Sequence, residues 1–178
     1  MTKKVGEGLG QKVPPATAMT TKGKRPKKPK RFTGCSPFGH GTWAVTIEVG
    51  TTVQLVPSAS RLLKLHDPRQ GGVRQFAAQF YEFIRHNDIS ALALRRQLEW
   101  TGLGQASANA WKIEGVLLMI PDVTTTLFCN SEINSWAKKP GSVVPALKVK
   151  TGANANYIFA LEAALFQAHL AALGQGSA

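Results

Sequence analysis

The sequence predicts an all-β body, a jelly-roll type β-sandwich, behind a basic N-terminal arm. Three observations lead there: short segments that alternate apolar and polar residues, turn signals every ten to twenty residues, and an abrupt change of composition at Phe32. About eight antiparallel strands and one short helix account for the body. The chain then divides into an arm, 1–31, and a shell-like sandwich domain, 32–178. Its 178 residues suit one domain with a real core.

The first strand is TWAVTIEVG (42–50). Trp43, Val45, Ile47 and Val49 point one way, and Ala44, Thr46 and Glu48 the other, as in a half-buried strand. Gly50 punctuates it, TTVQLVP (51–57) reads as extended, SASRLLKLH (58–66) is ambiguous, and DPRQGG (67–72) is a loop. Phe76, Phe80, Phe83 and Ile84 recur at helical spacing, which predicts a short helix over 74–85 ended by His86, Asn87 and Asp88. In ISALALRRQLEW (89–100) Leu92, Leu94, Leu98 and Trp100 share a strand face, with Arg96 as the exception. WKIEGVLLMIP (111–121) alternates and then turns apolar on both faces, which predicts a strand stopped by Pro121. A short extended piece at 124–129, a loop at 130–142, a strand at 143–150 and a turn to Asn156 follow. Residues 156–173 fit a helix by propensity and a strand by the spacing of Tyr157, Phe159, Leu161 and Leu165, so both assignments stay open.

The net charge of +12 is uneven. Residues 1–31 carry ten Lys/Arg against Glu7, whereas 32–178 carry twelve against nine acids. Seven cations fall within 22–31: Lys22, Lys24, Arg25, Lys27, Lys28, Lys30 and Arg31. Pro14, Pro15, Pro26 and Pro29 oppose regular structure, and the segment has few large apolar groups, so a flexible arm is expected. These seven are the candidate nucleic-acid-binding residues. Their expected mode is phosphate neutralisation blind to base sequence, because stacking aromatics are missing before Phe32. The same run has the composition of a nuclear import signal.

Catalytic signatures are missing. The Gly-rich stretch 6–10 follows no strand, and no GxSxG occurs. His40, His66, His86 and His169 are not at metal spacing, and Cys35 with His40 makes at most half a zinc site. Neither Cys129 with His86 nor His169 with a carboxylate has supporting spacing, and Asp122 serves a calcium ion only if other segments contribute. The expectation is a protein that is not an enzyme, with no cofactor, no metal and no small-molecule substrate. Two cysteines without CxxC suggest a reducing compartment. No secretory leader and no apolar run of about 18 residues is evident, so no membrane contact is expected.

A basic, Pro-containing arm on a small β-rich body resembles the coat proteins of small icosahedral positive-strand RNA viruses of plants. Residues 74–100 resemble the helix-then-strand segment of such jelly rolls, through Phe80, Tyr81, Phe83, Arg85, Ile89, Leu92 and Leu94. Residues 111–122 and 157–162 stand where sandwich strands of that family would be, and the family's paired calcium-binding aspartates have no counterpart. The resemblance implies a capsid protein that assembles into an icosahedral homo-oligomeric shell and packages single-stranded RNA through the arm. It also implies residence in the virion and the host cytoplasm, with the nucleus reached through the arm. Trp136, in a Lys- and Pro-containing loop, is then the candidate interface aromatic, while Trp43, Trp100 and Trp111 are assigned to the core. The competing reading is a non-viral, basic-tailed nucleic-acid-binding protein of chromatin, ribosomal or silencing-suppressor type.

Overall fold

The computed structural model describes residues 29–96, 107–139 and 155–175. They form a mixed sheet with helices on both faces, which overturns the all-β sandwich. Six strands are described: β1 (Lys30–Phe38), β2 (Gly41–Val49), β3 (Val53–Leu55), β4 (Arg61–Lys64), β5 (Ala91–Arg95) and β6 (Thr124–Phe128). The helices are α1 (Gln70–Asn87), α2 (Ala108–Leu118), α3 (Asn130–Ala137) and α4 (Ala155–Gln175). The sheet order is β3-β2-β1-β5-β6, with β4 also paired to β2. β1, β3 and β4 all run antiparallel to β2; β5 and β6 run parallel to β1.

The parallel half explains most of the difference from expectation. Parallel neighbours cannot be joined by a tight hairpin, so a helix must carry the chain back between them. α1 does this before β5, and α2 does it between β5 and β6. The segment at 111–121 is therefore helical. Ala110, Ile113 and Leu117 are its buried residues, at helical spacing, and Ser107 caps it by accepting the amide of Ala110. The alternation that suggested a strand comes from a helix with apolar groups around much of its circumference. The expected loop at 130–142 holds α3 instead, with Cys129 as N-cap and the Glu132 carboxylate accepting the Cys129 amide. At 155–175 the helix prevails over the strand. The strand expected at 143–150 and Trp100 lie outside the described residues.

Other elements are closer to expectation. The strand at 42–50 is β2, though it is buried on both faces over most of its length. The helix expected at 74–85 is α1, longer at both ends and closed by Asp88 in a left-handed conformation (φ 54°). β1 is an addition, and it takes Lys30 and Arg31 from the presumed arm into the central strand.

Two cores flank the sheet. On one face Phe76, Phe80, Phe83 and Ile84 of α1 and Ile113 and Leu117 of α2 pack on Cys35, Leu92 and Leu94. On the other, Ala160, Leu161, Ala164 and Leu165 of α4 cover Phe32, Val45 and Ile47, and Trp136 joins them, buried rather than offered to a partner. Burying each such large side chain contributes about 1.5–3 kcal/mol. Trp43 is half-buried and meets Tyr157 edge to face at 5.3 Å, while Trp111 is among the exposed large residues.

Gly34 on β1 sets the α4 contact. A Cβ there would strike the carbonyl oxygen of Ala160 and lie 2.6 Å from the Ala164 nitrogen. Gly34→Ala should therefore cost at least about 1–3 kcal/mol, as overpacking does, read as a lower urea midpoint with an unchanged m-value. Cys35, on the opposite face, is fully buried, and burial pushes its thiol pKa far up. The unfolded chain releases that proton above about pH 8.5 while the folded chain keeps it. Stability should thus fall as pH rises beyond about 8.5, by up to about 1.4 kcal/mol per pH unit from this group. Cys35→Val should remove that component from urea midpoints measured between pH 8 and 10.5.

Candidate functional site

β1, β5 and β6 end at the same edge of the sheet, at Phe38, Arg95 and Phe128. In open α/β sheets the edge at the carboxyl ends of the strands is where ligands are received. Strand alternation sends Phe32, Gly34 and Ser36 toward α4, and likewise Ala91, Ala93 and Arg95. Cys35 pairs with Leu94, so Ser36 and Arg95 follow one step further on neighbouring strands. α4 crosses above and presents Phe159 and Glu162, three residues apart and so on one side of the helix.

Arg95 is the hub. Its Nη1 donates to Glu162 Oε2 at 3.2 Å, its Nε donates to Asn130 Oδ1, and its guanidinium lies 3.9 Å from the Phe159 ring centroid. The two charged side chains are 10% and 6% exposed, so this is an interior ion pair. Burial pushes the Arg95 pKa down and Glu162 opposes the shift; an arginine keeps its proton throughout the protein range. Asn130 is delivered by the first residue of α3, directly after β6. Ser36 is buried in the same layer.

A second place is an open groove of about 580 Å³ between β4 and α1. Arg61, Lys64, His66 and Glu82 supply its charged and titratable groups. Arg61 is occupied, lying 4.9 Å over the Phe83 ring. Elsewhere on α1, Tyr81 donates to Asp122 Oδ2 at 3.1 Å, and that carboxylate holds the phenol above its usual pKa.

The residues expected to bind nucleic acid are not gathered at either place. Lys22, Lys24, Arg25, Lys27 and Lys28 lie outside the described residues. Lys30 is exposed at the start of β1. Arg31 is engaged: its Nε meets Glu48 Oε2 at 2.8 Å and its Nη1 donates to the Asn87 carbonyl at 2.9 Å. Both cysteines are free thiols, Cys35 buried and Cys129 exposed. Among the described residues no three His, Cys, Asp or Glu side chains converge as metal ligands do.

Sequence reasoning missed Arg95, Asn130, Phe159 and Glu162. Glu162 left a signal: a lone acid inside the apolar run 157–165 must find a partner if that run is buried. Its cation is 67 positions away, which no local pattern discloses.

A family model described as "Protein of unknown function (DUF3010)" matches residues 44–165. The chain belongs to this family. The match runs from within β2 into α4, so both helices that flank β5 and the Arg95–Glu162 pair lie inside the family's region. No curated protein matches the chain. Among solved structures it is similar to Thermus thermophilus RuvC in complex with Holliday junction substrate, at 15% identity and a TM-score of 0.66. That match covers 82% of this chain and 96% of the RuvC chain. A second structure of Thermus thermophilus RuvC matches at 15% identity and a TM-score of 0.64, over 81% of this chain and 96% of the other.

This fold removes the basis of the coat-protein resemblance. The helix-then-strand segment at 74–100 is a crossover into a parallel strand, and the later stretch compared with sandwich strands is helical. The capsid function, the icosahedral shell, the packaged single-stranded RNA and the virion location fall with it, and the chromatin, ribosomal or silencing-suppressor alternative gains no clear support. The expectation of a non-enzyme is corrected as well, since the fold is one shared with a protein solved on its substrate.

Breaking the buried pair from one side should be costly. Arg95→Met leaves Glu162 charged in the interior without its guanidinium, at about 3–5 kcal/mol. Arg95→Met combined with Glu162→Leu should recover most of that loss. Urea unfolding of the two single variants and the double variant measures the coupling.

Proposed function

We propose that this protein is a nucleic-acid-processing protein whose substrate is branched DNA. The observation that carries the reading is the extent of the RuvC likeness: one sheet with its flanking helices, over 82% of this chain and nearly all of a protein solved on a Holliday junction. Identity of 15% supplies no residue-level argument, so the chemistry has to come from this chain. Its charge supports the reading. The excess of +12 suits a polyanion, and six cations from Lys22 to Lys30 run up to the first residue of the central strand.

In this reading Lys22, Lys24, Arg25, Lys27, Lys28 and Lys30 contact phosphates and supply affinity without reading bases. Arg31 contributes to the fold instead, through Glu48 and the Asn87 carbonyl. The globular part supplies the preference for a branched shape.

Gel-shift titrations of the full chain on a four-way junction, a linear duplex of the same length and a single strand test this directly. The junction should be bound at least about tenfold more tightly at 150 mM salt, a difference of one decade in Kd. Equal affinity for all three would overturn the reading. Replacing Lys22, Lys24, Arg25, Lys27 and Lys28 by Gln should weaken binding to every form and flatten the salt dependence by up to about 4.5 in log–log slope.

A further inference from the structure

Phosphodiester chemistry at a sheet edge commonly relies on divalent ions held by several converging carboxylates. The edge formed by β1, β5 and β6 has a different composition. Asn130 Oδ1 and a Glu162 carboxylate oxygen are the hard donors that suit a magnesium or manganese ion, yet both are bonded to the Arg95 guanidinium. Phe159 covers the guanidinium face at 3.9 Å. The ring and the flanking helix leave the two charged side chains almost fully buried.

We infer that Arg95 is a tethered cation standing where a divalent ion would otherwise be held, so that the centre excludes metal. Charge and space both oppose a divalent ion there. A second positive ion would share one carboxylate with a fixed guanidinium a few ångströms away, and that repulsion is weakly screened in a buried site. Displacing the guanidinium would require it to leave the Phe159 ring, Asn130 and Glu162 together. Arg95 is paired to Phe128 of β6, one step beyond the Cys35–Leu94 pair with β1, which limits where its side chain can go. The inference holds whether or not branched DNA is the substrate, because it concerns the oxygens and the cation already paired to them.

The test is a manganese titration of the full chain. Mn²⁺ should leave the NMR signal of the Arg95 Nε proton no more broadened than signals of exposed residues remote from acids, and 10 mM Mg²⁺ should leave the wild-type Tm unchanged. Saturable, preferential broadening of that signal would overturn the proposal. Arg95→Ala should free the oxygens: 10 mM Mg²⁺ or Mn²⁺ should raise its Tm by about 5 °C, and adding Glu162→Gln should abolish the rise. An Arg95→Ala variant that folds yet ignores both ions would also overturn it. Should that variant not fold, the wild-type titration decides alone. Junction binding is read separately, so its failure leaves this test intact.

Discussion

The absent side chain at Gly34 determines how near α4 comes to the sheet, and much of the molecule follows from that approach. Backbone of the helix at Ala160 and Ala164 occupies the volume a Cβ would need. Small residues continue the contact along α4, with Ala160, Ala163 and Ala164 all fully buried. Close packing of a helix on a strand fixes the height of every other side chain the helix carries. Glu162, between those alanines in sequence, is thereby placed where it can meet an arginine rising from β5. A larger residue at 34 would lift the helix and part the two charges. Packing at the middle of β1 and electrostatics at its end are thus one constraint.

The ion pair is not explained by stability. Two apolar side chains of similar volume would fill the same space at no greater cost, because desolvating both ions offsets most of their attraction. What the pair provides is a fixed arrangement. Arg95 joins β5 to α4 through Glu162 and to the start of α3 through Asn130, so three elements are registered by one guanidinium. Lysine would not replace it, since a point charge lacks the planar fork and the face that lies on Phe159. At the other end of β1, Arg31 plays a similar part at the surface, tying β1 to β2 through Glu48 and to the end of α1 through the Asn87 carbonyl.

The sequence disclosed the elements whose pattern is local and concealed those that depend on partners. α1 was legible because Phe76, Phe80 and Phe83 recur on one face of an otherwise polar segment. β2 was legible from alternation, but its burial on both faces was not, because that follows from α4 covering one side. α2 misled because its apolar residues exceed one stripe: Trp111 and Leu118 are exposed while Ile113 and Leu117 are buried, so no single period stands out. α4 was balanced between two assignments until the sheet beneath it required a helix. The direction of β5 decided the fold class, and strand direction leaves no mark in composition. At the candidate site, the lone acid at 162 was visible, and its arginine was not.

Likeness of fold at 15% identity separates scaffold from chemistry. The sheet and its flanking helices survive such divergence because apolar volumes interchange, whereas an edge holding charged groups tolerates few substitutions without changing what it does. In the proposed reading, the geometry of this chain limits how a nucleic acid would meet it. The basic run ends at the amino end of β1, and the Arg95 centre sits at the carboxyl edge of the same strand layer. Along the nine residues of β1 the two ends lie about 25 Å apart. A duplex touching both ends must follow the sheet for about seven base-pair steps at 3.4 Å each. In that reading, a substrate with more than one arm would meet the two ends of the sheet with different arms.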